Sequence, residues 1–258
     1  MRQYASFEKL NRVITLNKIE TKPIATANSA VVIPIIADTA DYVVINKPAG
    51  VVIHQTQVHP EPDTVVNGLL GLYPELAAVG DDPQRPGIVQ RLDQFVSGVM
   101  VVAKTQTMFE YLKSQFQQHH VYKRYLALAH GKFSQAGGEI RFSIARSEKN
   151  FIKMAARPDD SGKAAVTKYT VLKQYQQYTY LELEIATGRT HQIRVHLNAL
   201  GHPLVGETVY LPKNFHSRLQ PGRIFLHAAD LRFTLPNGES MHYAAPLPLP
   251  LQAILDGF

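Results

Sequence analysis

The sequence predicts an α+β fold with more strands than helices. Three observations carry this. Short, largely apolar runs such as "YVVINK" (42–47) and "GVMVVAK" (98–104) have strand length. In "YTYLELEI", Leu181, Leu183 and Ile185 alternate with Glu182 and Glu184, the period-2 pattern of a half-buried strand. Few segments carry helical spacing, chiefly 105–119 and 187–203.

Taken in order, residues 1–37 are mixed in pattern and read as a short N-terminal extension before a domain over 38–258. "YVVINK" is a strand that "PAG" (48–50) turns out of the sheet. "DTVVNGLLGLYP" (63–74) reads as a short helix capped by Asp63, with Val66, Leu69 and Leu70 as its buried stripe. "VGDDPQRPG" (79–87) is a loop, and "GVMVVAK" is a buried strand. In "TQTMFEYLKSQFQQH" (105–119), Met108, Phe109, Leu112 and Phe116 fall on one helical face. "VYKRYLALAHG" (121–131) is a strand closed by glycine. Residues 146–163 have no clean period and read as an extended basic surface loop. "AVTKYTVLKQY" and "YTYLELEI" read as paired strands. In "TGRTHQIRVHLNALGHP" (187–203), Thr190 can cap a helix with Ile193, Leu197 and Leu200 at i, i+4 and i+7, and Gly201 and Pro203 end it. "IFLHAADLRFTL" and "MHYAAP" return to strands before a short terminal helix.

Composition narrows the function. The chain has 258 residues, enough to bury a sizeable core, and 45% of them are hydrophobic. It has no cysteine, which excludes disulfides, iron–sulfur clusters, thiolate zinc and a thiol nucleophile, and which suits a cytoplasmic location. No apolar run is long enough for a membrane span, and the N-terminus has no signal-peptide core. The net charge of +6 favours a polyanionic partner.

Four polar clusters fall at element ends. Arg91-Leu92-Asp93 stands at the mouth of a buried strand, and reads as a turn or as a working site. Tyr122, Lys123, Arg124 and Tyr125 interleave cations with aromatics, which suits base stacking and phosphate contact, and equally suits a strand edge. "GRTHQIR" sets Arg189, Thr190, His191, Gln192 and Arg194 at a helix N-terminus, where free N–H groups attract anions. Arg146, Lys149, Lys153, Arg157 and Lys163 make the fourth cluster, which also reads as ordinary solvated surface. No metal, P-loop or G-x-S-x-G motif is present. Asp93 is the one acid among the clusters placed to be held at a site. A carboxylate among arginines is kept in its charged form, which suits a nucleophile better than a general acid.

Read together, these segments resemble the RluA-type RNA pseudouridine synthases. The match runs in order through "VVINKPAGVVIH", "RPGIVQRLDQFVSGVMVVAKT", "YKRYLALAHG", "GKAAVTKY", "TGRTHQIRVHLNALGHPLVGETVY" and "LHAADLRFTLP". The resemblance implies a mixed, largely antiparallel sheet in two halves with flanking helices, and a cleft across its middle. It implies isomerisation of uridine in RNA, ribosomal sooner than transfer RNA, with no metal and no organic cofactor; a monomer is the default expectation, which the sequence itself does not decide. In this resemblance Asp93 is the nucleophile, Tyr125 packs on the base and takes the C5 proton, and Arg189 pairs with the aspartate. Arg91 enters the gap left by the flipped base. Lys123, Arg124, Lys163, His191, Gln192 and Arg194 are RNA-binding candidates. The sequence departs from the family pattern at Gln90, where histidine is usual, and at Val96, where threonine is usual. Residues 1–37 are too short for the small N-terminal RNA-binding domain of many relatives, so site selection is expected to rest on the catalytic domain. The departures motivate an alternative, a non-catalytic RNA-binding or chaperone protein on the same fold. A nucleoside glycosidase would need a second positioned acid.

Overall fold

The structure, a computed structural model, describes residues 25–148, 153–159, 161–212 and 215–258. Its centre is a nine-stranded sheet in the order β1-β2-β3-β10-β4-β9-β8-β5, with β11 added beside β10. The strands are β1 (Ile35–Asp38), β2 (Tyr42–Lys47), β3 (Ser97–Ala103), β4 (Tyr122–His130), β5 (Gly137–Ile140), β8 (Thr167–Gln174), β9 (Tyr178–Ile185), β10 (Leu226–Thr234) and β11 (Ser240–Ala244). The hairpin of β6 (Ser143–Arg146) and β7 (Met154–Arg157) makes a small separate sheet. Among the described residues four α-helices flank the sheets: α1 (Val65–Leu72), α2 (Gln106–Gln117), α3 (Gln192–Ala199) and α4 (Leu249–Asp256).

Every pairing in the main sheet is antiparallel except β3 with β10. That contact is short, joining Ser97 to His227 and Gly98 to Ala228. It divides the sheet into two halves, β1-β2-β3 and β10-β4-β9-β8-β5. One register line crosses the junction: Gly98 pairs Ala228, Ala228 pairs Tyr125, and Tyr125 pairs Leu183. Gly98 is required there. Its φ is +126°, and a Cβ would lie 2.1 Å from the Ala228 carbonyl oxygen.

The core lies on the apolar runs read from sequence. All seven residues of β3 are buried, as are Val43, Val44 and Ile45 of β2 and Leu181, Leu183 and Ile185 of β9. The α1 stripe of Val66, Leu69 and Leu70 and the α2 residues Met108, Phe109 and Leu112 close one side. Ile33 joins the same core, and β1 pairs with β2, so the described end of the N-terminal segment belongs to this body.

Three local expectations need correction. Thr64, not Asp63, caps α1. Its hydroxyl oxygen accepts from the Asn67 N–H in a capping box, while Asp63 is exposed and contacts His59. Helix α3 begins at Gln192. Its cap is His191 in the left-handed conformation (φ 56°), with no bond from Thr190. The basic stretch 146–163 is not all loop, since Met154–Arg157 forms β7. Its pairing with β6 lies outside the main sheet, and four residues are too few to show a period. Lys149 lies outside the described residues.

Candidate active site

Asp93 is delivered by the loop that leads into β3. Leu92 is buried in the core, which fixes the loop, while Arg91 and Asp93 face a pocket of about 450 Å³. The turn after β2 clasps this loop. Lys47 ends an otherwise apolar strand and is fully buried. Its Nζ donates to the carbonyls of Pro48 (2.8 Å), Gln94 (2.9 Å) and Val96 (2.9 Å), using all three ammonium protons. The Gly50 N–H donates to the Gln94 carbonyl, and the Gln94 amide donates back to Gly50. Burial, joined by the charge of Arg223 and opposed by Asp93, lowers the Lys47 pKa to about 7. Val96 is itself buried among apolar groups, so a hydroxyl is not missed there.

The partner of Asp93 is Arg194, not Arg189. Arg194 Nη1 donates to Asp93 Oδ2 at 2.9 Å, and His191 Nε2 lies 3.8 Å from the same oxygen. Arg194 is nearly buried and forks onto Glu207 with two bonds of 2.8 Å. Glu207 Oε1 in turn accepts the backbone N–H groups of Thr208, Val209 and Tyr210. Burial would lower the Arg194 pKa, but the bonds to Glu207 and the charge of Asp93 outweigh it and raise it. Burial would likewise raise the Glu207 pKa, and Arg194 reverses this, so both partners stay charged. The Tyr210 hydroxyl meets His191 Nδ1 at 2.6 Å and accepts the Met154 N–H, tying β7 to the site.

Tyr125 stands on β4 in the same pocket as Asp93 and is buried. Burial, then the charge of Asp93, push its pKa up, so it is a neutral phenol at physiological pH. Behind it, the Ser97 hydroxyl, His227 and Arg223 form a buried polar network at the β3–β10 junction.

The other candidates separate clearly. Arg91 is exposed at the pocket mouth and has no ion-pair partner among the described residues. Arg189 lines the rim, with its Nε donating to the Ala164 carbonyl. Lys123 lines the pocket but is buried, and its Nζ donates to the Ala186 and Thr187 carbonyls. Burial, aided by Arg189, lowers its pKa to about 8. Arg124, next along the strand, points to the opposite face, where Glu182 and Asp230 pair with it. Gln192 is buried and uses its whole amide internally, between Thr187, Arg189, Val166 and Thr167. Lys123, Gln192 and Arg194 are buried with their polar groups satisfied within the protein, and the partly exposed Arg124 is ion-paired on the opposite face. Lys163 is exposed beside the small hairpin, outside this pocket. Lys153 and Arg157 are engaged by the Val209 carbonyl and Glu148.

Lys47, Glu207 and Tyr210 were not singled out from sequence. A lysine ending an apolar strand was a readable signal for the first. Nothing local marks the other two.

The pocket thus brings a paired carboxylate, Asp93, and a buried tyrosine, Tyr125, together in a cleft of the sheet, and comparison with known proteins shows the family. Residues 41–199 match the family model described as RNA pseudouridylate synthase. An uncharacterized RNA pseudouridine synthase of Chloroflexus aurantiacus is 44% identical over 211 residues, covering 81% of this chain and 64% of its own length. Ribosomal large subunit pseudouridine synthase D of Escherichia coli O6:H1 is 39% identical over 233 residues, covering 86% and 69%. Among solved structures, human RNA pseudouridylate synthase domain containing 1 aligns with a TM-score of 0.68 and 26% identity, over 88% of this chain and 86% of that one. The chain belongs to the RNA pseudouridylate synthase family. Its match spans just under two thirds of the Chloroflexus relative.

Proposed function

We propose that this chain isomerises specific uridines of RNA to pseudouridine, with ribosomal RNA as the substrate class. The observation that carries the reading is Asp93, a carboxylate held by buried Arg194 in a pocket shared with Tyr125. About 450 Å³ accommodates one extruded nucleoside. The names of relatives such as the Escherichia coli protein support the large ribosomal subunit as the source of the RNA.

In this reading Arg91 fills the stack vacated by the uridine. Asp93 acts as nucleophile on the flipped nucleotide, and the bond it forms is broken again as the carboxylate leaves when the product is complete. The C1′–N1 bond breaks, the base turns, and a C1′–C5 bond forms. C5 gives up its proton and N1 gains one, so the composition is unchanged and no oxidant is needed. Arg194 holds and aims Asp93, and Glu207 keeps Arg194 in place. The neutral Tyr125 packs on the base and relays the C5 proton, passing on its own as it accepts.

The test is Asp93→Asn. Pseudouridine mapping of total RNA from cells with the gene, without it, and with the variant identifies the target. The expected result is a site lost on deletion and not restored by Asp93→Asn, while that variant still binds RNA. Full restoration by Asp93→Asn removes the proposed chemistry.

A further inference from the structure

A second pocket, of about 430 Å³, lies on the other side of the Gln90–Asp93 loop. The two pockets share that loop as a common wall, together with Gly188 and Arg189. The second is faced by His54, Arg85, Gln90, Arg91 and Arg189, with Asp93 on the shared wall, and His54, Arg85 and Gln90 have no part in the chemistry at Asp93. Three buried side-chain polar atoms have no hydrogen-bond partner among the described residues, and two of them are here: His54 Nδ1 and Gln90 Nε2. Both side chains belong to residues that line this cavity, so each has hydrogen-bonding capacity that the protein itself leaves unused beside it.

The chemistry of the lining describes the ligand that fits. Three arginines give the pocket a positive field, although Arg85 is partly engaged by Asp82. Such a field suits a phosphodiester. The base-reading groups are uncharged. Burial, then Arg85 and Arg91, lower the His54 pKa to about 4, so its ring is neutral and one nitrogen can accept. Gln90 presents a free amide donor next to its own acceptor oxygen. An amide of this kind spans the N7 acceptor and exocyclic amine donor of adenine.

We propose that this pocket is a second nucleotide subsite, which takes a purine one or two positions from the target uridine and reads it with Gln90 and His54. The proposal rests on the first pocket being the uridine site. Arg91 then stands between two extruded nucleotides rather than beside one. The departure from the family pattern at Gln90 becomes a determinant of which RNA loop is chosen.

The experiment is a binding selection, independent of turnover. Full-length protein carrying Asp93→Asn is incubated with hairpin RNAs whose seven-nucleotide loop is randomised, and the bound RNAs are sequenced. The same selection is run with Gln90→Leu or His54→Leu added, after thermal melting shows that each is folded. The expected result is an enriched uridine with a purine enriched at one fixed offset. Gln90→Leu and His54→Leu should each reduce the purine preference about tenfold and leave the uridine enrichment in place. A uridine without a purine preference, a pyrimidine at the offset, or a purine preference unchanged by both substitutions overturns the subsite and leaves the synthase reading standing. A purine preference sensitive to Gln90 with no uridine enrichment keeps the subsite and removes the uridine reading.

Discussion

Asp93 and Arg194 lie 101 residues apart in the chain and 2.9 Å apart at the site. The bond is one arm of a chain that continues from Arg194 to Glu207 and on to three backbone N–H groups. Arg194→Met leaves Glu207 buried and unpaired. The expected loss is about 3–5 kcal/mol of stability, read from urea unfolding, with turnover lost as well. Arg194→Lys should keep part of the stability, but not the fork onto Glu207, and should remain well below wild type in kcat.

Tyr125→Phe separates packing from proton transfer. The ring stays in its buried place on β4, so RNA affinity and KM should change little. Loss of the hydroxyl should lower kcat by about 100-fold or more in single-turnover measurements. An unchanged kcat would assign the C5 proton to another group.

Lys47→Met removes the three bonds that hold the Pro48, Gln94 and Val96 carbonyls. Small displacements of a reacting group are costly, so a fall in kcat of roughly 100-fold is expected with KM nearly unchanged. The substitution also has a pH signature. The folded pKa of Lys47, about 7, is below its usual 10.5. Between these values the unfolded chain holds a proton that the folded chain lacks. Stability therefore rises with pH across this window, by up to about 1.4 kcal/mol per unit, and the cost of the buried charge is fully present below it. Lys123 adds a similar rise above about 8 in both proteins. The difference between wild type and Lys47→Met, measured by urea unfolding from pH 6 to pH 10, isolates Lys47.

Gly98→Ala should be more damaging than any loop substitution. The new methyl group would meet the Ala228 carbonyl at a backbone angle that disfavours side chains. We expect a loss of about 4 kcal/mol or more, or an insoluble product, seen as a collapse of soluble yield.

Much of this was legible because it was local. The strands at 42–47 and 98–104, the α2 face and the β9 alternation show their burial in their own residue pattern, and the structure places them there. Asp93 and Tyr125 were readable as polar residues at the edges of apolar strands. The pairing was not. Arg189 and Arg194 both lie in "GRTHQIR", and only the left-handed turn at His191 swings the second toward Asp93 while the first stays on the rim. The role of Glu207 depends on a distant partner and leaves no local mark, and the internal partners of Lys123, Arg124 and Gln192 lie on other strands and loops. Charge near a site says little about who holds it.

The place of β10 in the sheet also sets when the site can exist. It lies between β3 and β4, although it is made last of the three. From the end of β4 at His130 to the end of β10 at Thr234 there are 104 residues. At about 5–20 residues per second, a growing chain waits roughly 5–20 s between completing Tyr125's strand and the strand that joins it to Gly98. During that interval Asp93 and Tyr125 are both synthesised but not yet bridged. The proposed site is therefore completed only when β10 docks between β3 and β4.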